Sequence, residues 1–279
     1  MIKIKGKFVK LRHCEENVEH STSQLHYNGI TTSLVALAPR NDRKIGFTLA
    51  EVLITLGVIG VVAAMTMPVL MQNIKGAQFI SKFKKELSVL NQAVTINKAK
   101  YDWDFSDAED THGAEHSGRN KVEEIFTKNL KVTKNDYRWN FTDKSSKVYD
   151  DEDGYKTYDI KLIIDYGVLS SDYNTYTLPD GAVVSYSEAS FLNCTLPKDM
   201  SLNEWIKSGS FDFSCIGYID VNGPQLPNTE VSCATGTTSK NLDEPCTVDN
   251  NSIGDVYPVV YYDSVVAPAS NAAAAVLRK

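Results

Sequence analysis

The sequence predicts an α+β fold, in which one long N-terminal helix packs on a C-terminal antiparallel β-sheet domain. Two observations carry this prediction. An apolar run over 47–70 continues into apolar residues spaced three and four apart as far as Lys100, the period of one long helix. Short segments of alternating or β-branched residues, separated by turn residues, follow only later in the chain. Elements segregated in this order are typical of α+β proteins.

The first element is the apolar run itself. It holds 24 residues, of which Glu51 is the only charged one. As a helix it would be about 36 Å long, enough to cross the roughly 30 Å hydrocarbon core of a bilayer. A carboxylate near one end of such a span costs free energy unless a positive group meets it, so Glu51 is a candidate functional residue. Pro68 removes one backbone donor and predicts a kink near the other end.

The charge distribution predicts how this run is oriented in a membrane. Residues 1–46 carry eight Lys or Arg and four Asp or Glu, a net charge of +4, which leaves −10 on the rest of the chain. Arg40, Arg43 and Lys44 directly precede the run, and the positive-inside rule then places the N-terminus in the cytoplasm and the residues after 70 outside. An acidic remainder argues against nonspecific nucleic-acid binding, and no nucleic-acid partner is expected.

Beyond the run, the helix is predicted to continue over 71–100 as an amphipathic half that covers a core. Its apolar stripe includes Phe83, Leu87 and Leu90, and Glu86 is among the polar residues between them. A short second helix is predicted near 122–130 from the spacing of its apolar residues. Strands are predicted over 158–164, 175–178, 182–186, 215–221 and 256–266.

Two further predictions concern the end of the chain. Pro258 lacks a backbone donor, so the strand over 256–266 is expected at an edge of the sheet. The Ala-rich residues 267–279 are expected to form a flexible tail, which frays or is at most a loose helix. The extracytoplasmic, β-rich globular domain is therefore assigned to residues 101–266.

Cysteine usage agrees with an extracytoplasmic domain. Cys14 lies in the N-terminal segment, and the other four are Cys194, Cys215, Cys233 and Cys246. An even number outside the cytoplasm predicts two disulfides, for which sequence-local pairing gives Cys194–Cys215 and Cys233–Cys246. The two other connectivities and free buried thiols stay open. A zinc site is disfavoured, because the sequence has no Cys-x-x-Cys and no His near these cysteines.

The order of Gly46, Phe47 and Glu51 before an unbroken apolar run resembles the class III signal of type IV prepilins and type II secretion pseudopilins. The resemblance implies that prepilin peptidase removes residues 1–46 as a leader, cutting between Gly46 and Phe47, and methylates the new amine. Pro68 matches a position at which the family often has proline, in a segment that can unwind on assembly. The leader is longer than usual for this family, and Ile45 stands where Lys or Arg is common.

The resemblance also implies a function, a location and partners. The predicted function is a structural subunit of a type IV pilus-like or type II secretion pseudopilus filament. The subunit is first a single-pass inner-membrane protein with its C-terminal domain outside, then part of a cell-surface or periplasmic filament. Expected partners are copies of itself, other pilin-like subunits, prepilin peptidase, the inner-membrane assembly platform and, before assembly, the lipid bilayer. The alternatives are a minor pilin for adhesion or DNA uptake, and a single-pass anchored binding domain that never polymerises.

The sequence predicts no enzymatic activity and no cofactor. It contains no Gly-x-Ser-x-Gly motif and no phosphate-cradling glycine-rich loop, and its only histidines after residue 46 are His112 and His116. These two are spaced i, i+4 around a glycine without the His-Glu-x-x-His pattern, so a solvated loop is favoured over a metal site. Calcium bound by the segments 150–154 or 220–228 is the alternative, and ordinary turns are favoured because neither has the Asp-x-Asp-x-Asp-Gly pattern.

Overall fold

The fold is built on one continuous helix, α1, at Leu49–Tyr101. The computed structural model describes residues 46–107, 124–132, 138–140, 160–166, 172–187, 194–210, 213–251 and 253–279. Residues Ala50–Lys279 form one compact unit, and the other unit, Met1–Leu49, is described only at residues 46–49. The 53 residues of α1 span about 80 Å, at about 1.5 Å per residue.

The second half of α1 carries the predicted core stripe. Its buried residues are Gly76, Phe79, Ile80, Phe83, Glu86, Leu87, Leu90, Ala93, Val94 and Asn97. Phe83 stacks on Tyr257 with ring centroids 4.1 Å apart. Asn91 joins the helix to the backbone of Val266, since its Nδ2 donates to the Val266 carbonyl (2.8 Å) and its Oδ1 accepts from the Val266 amide (2.9 Å). The amphipathic half of the helix is therefore confirmed as the part that packs on the domain.

Within the described residues, the main sheet has six strands in the order β1-β2-β3-β4-β7-β8, every neighbouring pair antiparallel, and β5 pairs with β6 separately. The strands are β1 Arg138–Asn140, β2 Asp172–Thr177, β3 Val183–Ser187, β4 Ile216–Asp220, β5 Thr235–Gly236, β6 Cys246–Thr247, β7 Val256–Tyr262 and β8 Val265–Pro268. Two short helices, α2 at Leu202–Ser208 and α3 at Asn271–Arg278, complete the named elements. This arrangement confirms the α+β prediction.

Aromatic rings join the helical residues 124–129 to the sheet. Phe126 is buried and stacks on Tyr176 and Tyr186 at centroid distances of 5.6 and 5.5 Å. It also meets Tyr261 of β7 edge-on at 6.1 Å. Each such pair contributes about 0.5–1.5 kcal/mol beyond the area it buries. The predicted second helix is thus present and packs through its apolar side.

The C-terminal residues correct one prediction, because the expected flexible tail over 267–279 is wrong. Residues 265–268 form β8, and α3 follows with Ala272, Ala273 and Val276 fully buried. Ser270 caps α3, since its Oγ accepts from the Ala273 amide at 3.1 Å. Small alanine side chains allow a helix to pack closely, and composition alone does not show whether such a helix is buried. The globular unit therefore extends past residue 266 to the C-terminal helix.

Pro258 corrects a second prediction. The strand expected over 256–266 is divided by a turn into β7 and β8, and β7 lies between β4 and β8 instead of at an edge. The Pro258 carbonyl accepts from the Ala269 amide (3.0 Å), just beyond the end of β8. In an antiparallel strand the N–H and C=O of one residue point to the same neighbouring strand. The N–H that Pro258 lacks would therefore point towards β8, as its carbonyl does, so no hydrogen bond to β4 is lost.

A third correction concerns the strand expected over 158–164. Among the described residues 160–166, the only strand-like pairing is one isolated bridge between Lys161 and Thr229. The segment is held instead by a side chain, since the buried Glu230 carboxylate accepts from the Ile164 amide at 3.0 Å. Alternating apolar residues thus face the core without belonging to a ladder.

Candidate processing and assembly site

The predicted cleavage site lies just before α1. Residues 46–48 are not helical, α1 begins at Leu49, and the Phe47 side chain is 87% exposed. No described heavy atom lies within 4 Å of the place that a Cβ on Gly46 would occupy, so packing does not require glycine there. An exposed, non-helical peptide bond between Gly46 and Phe47 is the form that a peptidase can bind.

Glu51 lies in the first turn of α1, four residues after Phe47. The amino end of a helix carries a partial positive charge, which favours a carboxylate at this position. The spacing of Thr48 and Glu51 is also that of a capping box, in which a Ser or Thr at the N-cap is followed three residues later by Glu. Cleavage after Gly46 would thus create a new amine only four residues before this carboxylate in the sequence.

The helix that follows has an apolar surface that the other described residues do not cover. Sixteen large hydrophobic side chains between residues 47 and 74 are at least 42% exposed. Two hydroxyls within the helix are satisfied by its own backbone, Thr55 Oγ1 donating to the Val52 carbonyl and Thr66 Oγ1 to the Val62 carbonyl, each at 3.0 Å. α1 is long and apolar enough to cross a membrane, and no residue of its most apolar stretch is buried. Such internal satisfaction of polar groups is what a lipid environment demands.

Pro68 lies inside this exposed stretch. The helix is continuous through Pro68. Because proline has no backbone N–H, the Ala64 carbonyl lacks the hydrogen bond that it would otherwise accept from residue 68. One weakened turn therefore separates the apolar half of α1 from the half that packs on the domain. A kink or unwinding at this position stays a prediction.

The four cysteines after residue 190 form both of the sequence-local pairs. The Cys194–Cys215 disulfide ties residues before α2 to the residue just before β4, with 5.6 Å between Cα atoms. The Cys233–Cys246 disulfide closes the segment that carries β5 and β6, with 5.3 Å between Cα atoms. The first pair is fully buried and the second is partly exposed. Covalent links of this kind suit a domain outside the cytoplasm.

Sequence reasoning missed a charged cluster under α1. Glu86, expected on the polar side of the helix, is only 1% exposed. The Lys85 ammonium lies 3.0 Å from the Glu86 carboxylate and 2.8 Å from that of Asp180, in the turn between β2 and β3. Burial, together with a hydrogen bond to Asp180, raises the pKa of Glu86 to about 7. The sequence does contain one indication that Glu86 is buried: it lies three residues after Phe83, at the edge of the apolar stripe of the helix.

The candidate metal ligands are only partly within the described residues. His112, His116 and the acidic segment 150–154 lie outside them. Within the described ranges, no group of three or more His, Cys, Asp or Glu is arranged to hold a metal ion. In the 220–228 loop, Asp220 accepts from the Asn222 amide at 3.0 Å, which is ordinary turn geometry. Calcium binding stays a prediction.

Comparison with known proteins identifies one segment. Residues 41–67 match the family model described as the prokaryotic N-terminal methylation motif. No curated protein and no solved structure matches the chain. The matched residues contain Gly46, Phe47 and Glu51, so the match supports assignment to the type IV prepilin-like class. The motif indicates a pilin-like or pseudopilin substrate of prepilin peptidase, and with the long apolar helix it indicates membrane anchoring.

Proposed function

We propose that this protein is a structural subunit of a type IV pilus-like or type II secretion pseudopilus filament, made as an inner-membrane precursor and processed after Gly46. The observation that carries the proposal is the division of α1 into two halves. The methylation motif leads into an apolar half with an exposed surface, and the other half is packed into a disulfide-linked domain. One half is thus available to lipid or to other subunits while the domain stays folded.

The exposed half of α1 needs a non-aqueous environment. Full burial of one large hydrophobic side chain contributes about 1.5–3 kcal/mol, and sixteen such side chains between residues 47 and 74 are at least 42% exposed. The total is on the order of tens of kcal/mol, far more than a typical domain's stability of about 5–15 kcal/mol. A bilayer supplies that environment before assembly, and packed α1 helices supply it in a fibre. The work is mechanical and uses no catalytic group or cofactor.

Glu51 is proposed to fix the register between subunits. Cleavage frees an amine at Phe47, and the Glu51 carboxylate of one subunit would pair with the Phe47 amine of another. At about 4 Å, two unit charges attract by about 4 kcal/mol at an effective dielectric constant of about 20, before the cost of desolvation is subtracted. The competing role is helix capping, to which the spacing from Thr48 points.

A charge-removing substitution separates these two roles. Glu51→Gln keeps a side chain that can cap the helix but removes the charge. We expect this variant to be cleaved normally and to be absent from sheared filaments, as measured by immunoblotting of membrane and filament fractions. Asp199→Asn is the matched control, because it removes one exposed negative charge from a loop of the domain. Normal filament incorporation of Glu51→Gln would contradict the pairing.

The main alternatives are a minor pilin for adhesion or DNA uptake, and a single-pass anchored binding domain that never polymerises. The anchored domain accounts for the apolar helix, but it has no use for the methylation motif at residues 41–67. The chemistry of the mature N-terminus separates it from the filament subunit. Abundance in purified fibres then separates a major subunit from a minor one.

A further inference from the structure

The loop over residues 221–228 exposes one large apolar side chain. Leu226 is 81% exposed, and apart from α1 and Phe47 just before it, no other large hydrophobic residue within the described ranges is even half exposed. A single exposed leucine is common on protein surfaces and needs no explanation by itself. Its position in the fold is what distinguishes this one.

Leu226 lies beside the point at which α1 emerges from its apolar run. A cleft of about 400 Å³ is lined by Gln72 and Lys75 on α1 and by Leu226 and Pro227 on the loop. At about 1.5 Å per residue, Gln72 and Lys75 lie only about 3 and 8 Å along the axis beyond residue 70. If 47–70 fills the hydrocarbon core, this height is within the headgroup layer, which is about 5–8 Å thick on each side.

The loop is held so that Leu226 projects outward. The Asn222 side-chain amide donates to the carbonyls of Gln225 (2.8 Å) and Leu226 (3.2 Å), which closes the loop on itself. Its start is fixed to α1, because the Lys82 ammonium donates to the Val221 carbonyl at 3.0 Å. The leucine is therefore presented by a braced loop whose height on α1 is set by direct contacts.

The charge of this face also suits a membrane surface. Residues 221–228 contain no charged side chain, and the exposed charged residue of the cleft is Lys75, whereas Glu230 is fully buried. The chain after residue 46 carries a net charge of −10, so most of its surface would be repelled by anionic headgroups. A neutral loop with lysines beside it can approach such a surface without that repulsion.

We infer that Leu226, with Pro227 beside it, inserts into the boundary between headgroups and acyl chains on the outer side of the bilayer and holds the globular unit against the membrane before assembly. The inference rests on the proposed insertion of residues 47–70. The lipid surface is thus contacted at two places: by α1, which anchors the chain, and by the 221–228 loop, which limits how the domain can tilt.

The test uses the full-length protein in phosphatidylcholine vesicles that contain a minority of phosphatidylglycerol. Tryptophan is placed at the loop with Leu226→Trp, and its fluorescence is compared with that of the wild type in vesicles with and without lipid brominated near the headgroup end of the acyl chains. A ring about 5–10 Å below the surface lies at the depth of the bromine, so its added fluorescence should fall in the brominated vesicles. Val265→Trp is the control: its neighbour Val266 contacts Asn91, about 30 Å beyond residue 70 along α1, so bromine should not quench it.

Each outcome has a distinct meaning. Quenching of Leu226→Trp without quenching of Val265→Trp supports the inference. Flotation of the protein with vesicles but no quenching at residue 226 overturns the inference and leaves the membrane anchor intact. Failure to float with vesicles contradicts the proposed function itself. A blue shift at residue 226 that grows with the protein-to-lipid ratio, without bromine quenching, would assign the leucine to contact with a second copy and overturn the inference.

Discussion

A buried carboxyl group on α1 is expected to make the stability of the domain depend on pH. Glu86 is 1% exposed, and burial followed by a hydrogen bond to Asp180 raises its pKa to about 7. Burial also acts to raise the pKa of Asp180, but hydrogen bonds with Lys85 and Glu86 outweigh it and lower that pKa to about 2. The folded protein therefore keeps a proton on Glu86 that the unfolded chain releases near pH 4.5.

The direction and size of the effect follow from this difference. Because the pKa of Glu86 is higher in the folded state, its contribution is fully present below pH 4.5 and is lost as the pH rises through 7. Each unit of pKa difference corresponds to about 1.4 kcal/mol, so the loss is at most about 3.5 kcal/mol. The Asp180 contribution has the opposite sense, being present above pH 3.8 and lost towards pH 2, so it is constant over the neutral range.

The assay is urea unfolding of the full-length protein in detergent, repeated between about pH 5 and pH 8. The wild type should lose up to about 3 kcal/mol of unfolding free energy across this range, in excess of any loss in Glu86→Gln. Glutamine keeps the size of the side chain and a donor for Asp180 but cannot ionise. Glu124→Gln is the control, since Glu124 forms a partly exposed pair with Lys128 at 2.8 Å. Equal pH dependence in the wild type and Glu86→Gln would refute the reasoning.

Two further predictions concern packing and use the same unfolding assay. A Cβ on Gly76 would lie 1.9 Å from the Asn250 backbone carbonyl oxygen, so Gly76→Ala should destabilise the domain by about 2 kcal/mol. Gly60→Ala is the control and should not destabilise it, because no described atom lies within 4 Å of the added Cβ. Equal stability of the two variants would contradict this packing. Deleting residues 270–279 removes the buried Ala272, Ala273 and Val276 and should lower the free energy of unfolding by at least about 3 kcal/mol. An unchanged urea midpoint would instead support the flexible-tail prediction.

The parts of the fold that sequence reasoning predicted are those determined by local pattern. The two halves of α1 follow from an apolar run and a helical stripe, and β3 and β4 follow from short β-branched segments. The turn at Leu178, Pro179 and Asp180 separates β2 from β3, as the glycine after it indicates. Such signals lie within a few neighbouring residues and therefore survive without knowledge of the tertiary structure.

The failures have tertiary causes. The alternation over 158–164 did not yield a strand in its described part, because Glu230 supplies an acceptor that a neighbouring strand would otherwise provide. Pro258 is tolerated within the sheet because its carbonyl side faces Ala269 beyond the end of β8. The buried α3 depends on the surface that it covers, which the alanine-rich sequence does not show. Each outcome depends on a partner distant in the chain.

The candidate site divides in the same way. Gly46, Phe47 and Glu51 form a linear motif that is complete within six residues, and the match over 41–67 includes all three. The Glu86 cluster and the cleft beside Leu226 each combine α1 with loops more than 90 residues away in the sequence, so no local sequence pattern predicts them. Sequence alone thus predicts the processing site, and only the structure brings the other two groups together.

The most direct test of the filament-subunit account is mass spectrometry of the N-terminus of the protein purified from cells that contain a prepilin peptidase. The account predicts a mature chain that begins at Phe47 and carries one methyl group on its amine. Gly46→Val should remain at the precursor mass in the same cells, because cleavage is proposed to require the glycine. A membrane-inserted wild-type protein that retains residues 1–46 would contradict the account and favour a simple anchored domain.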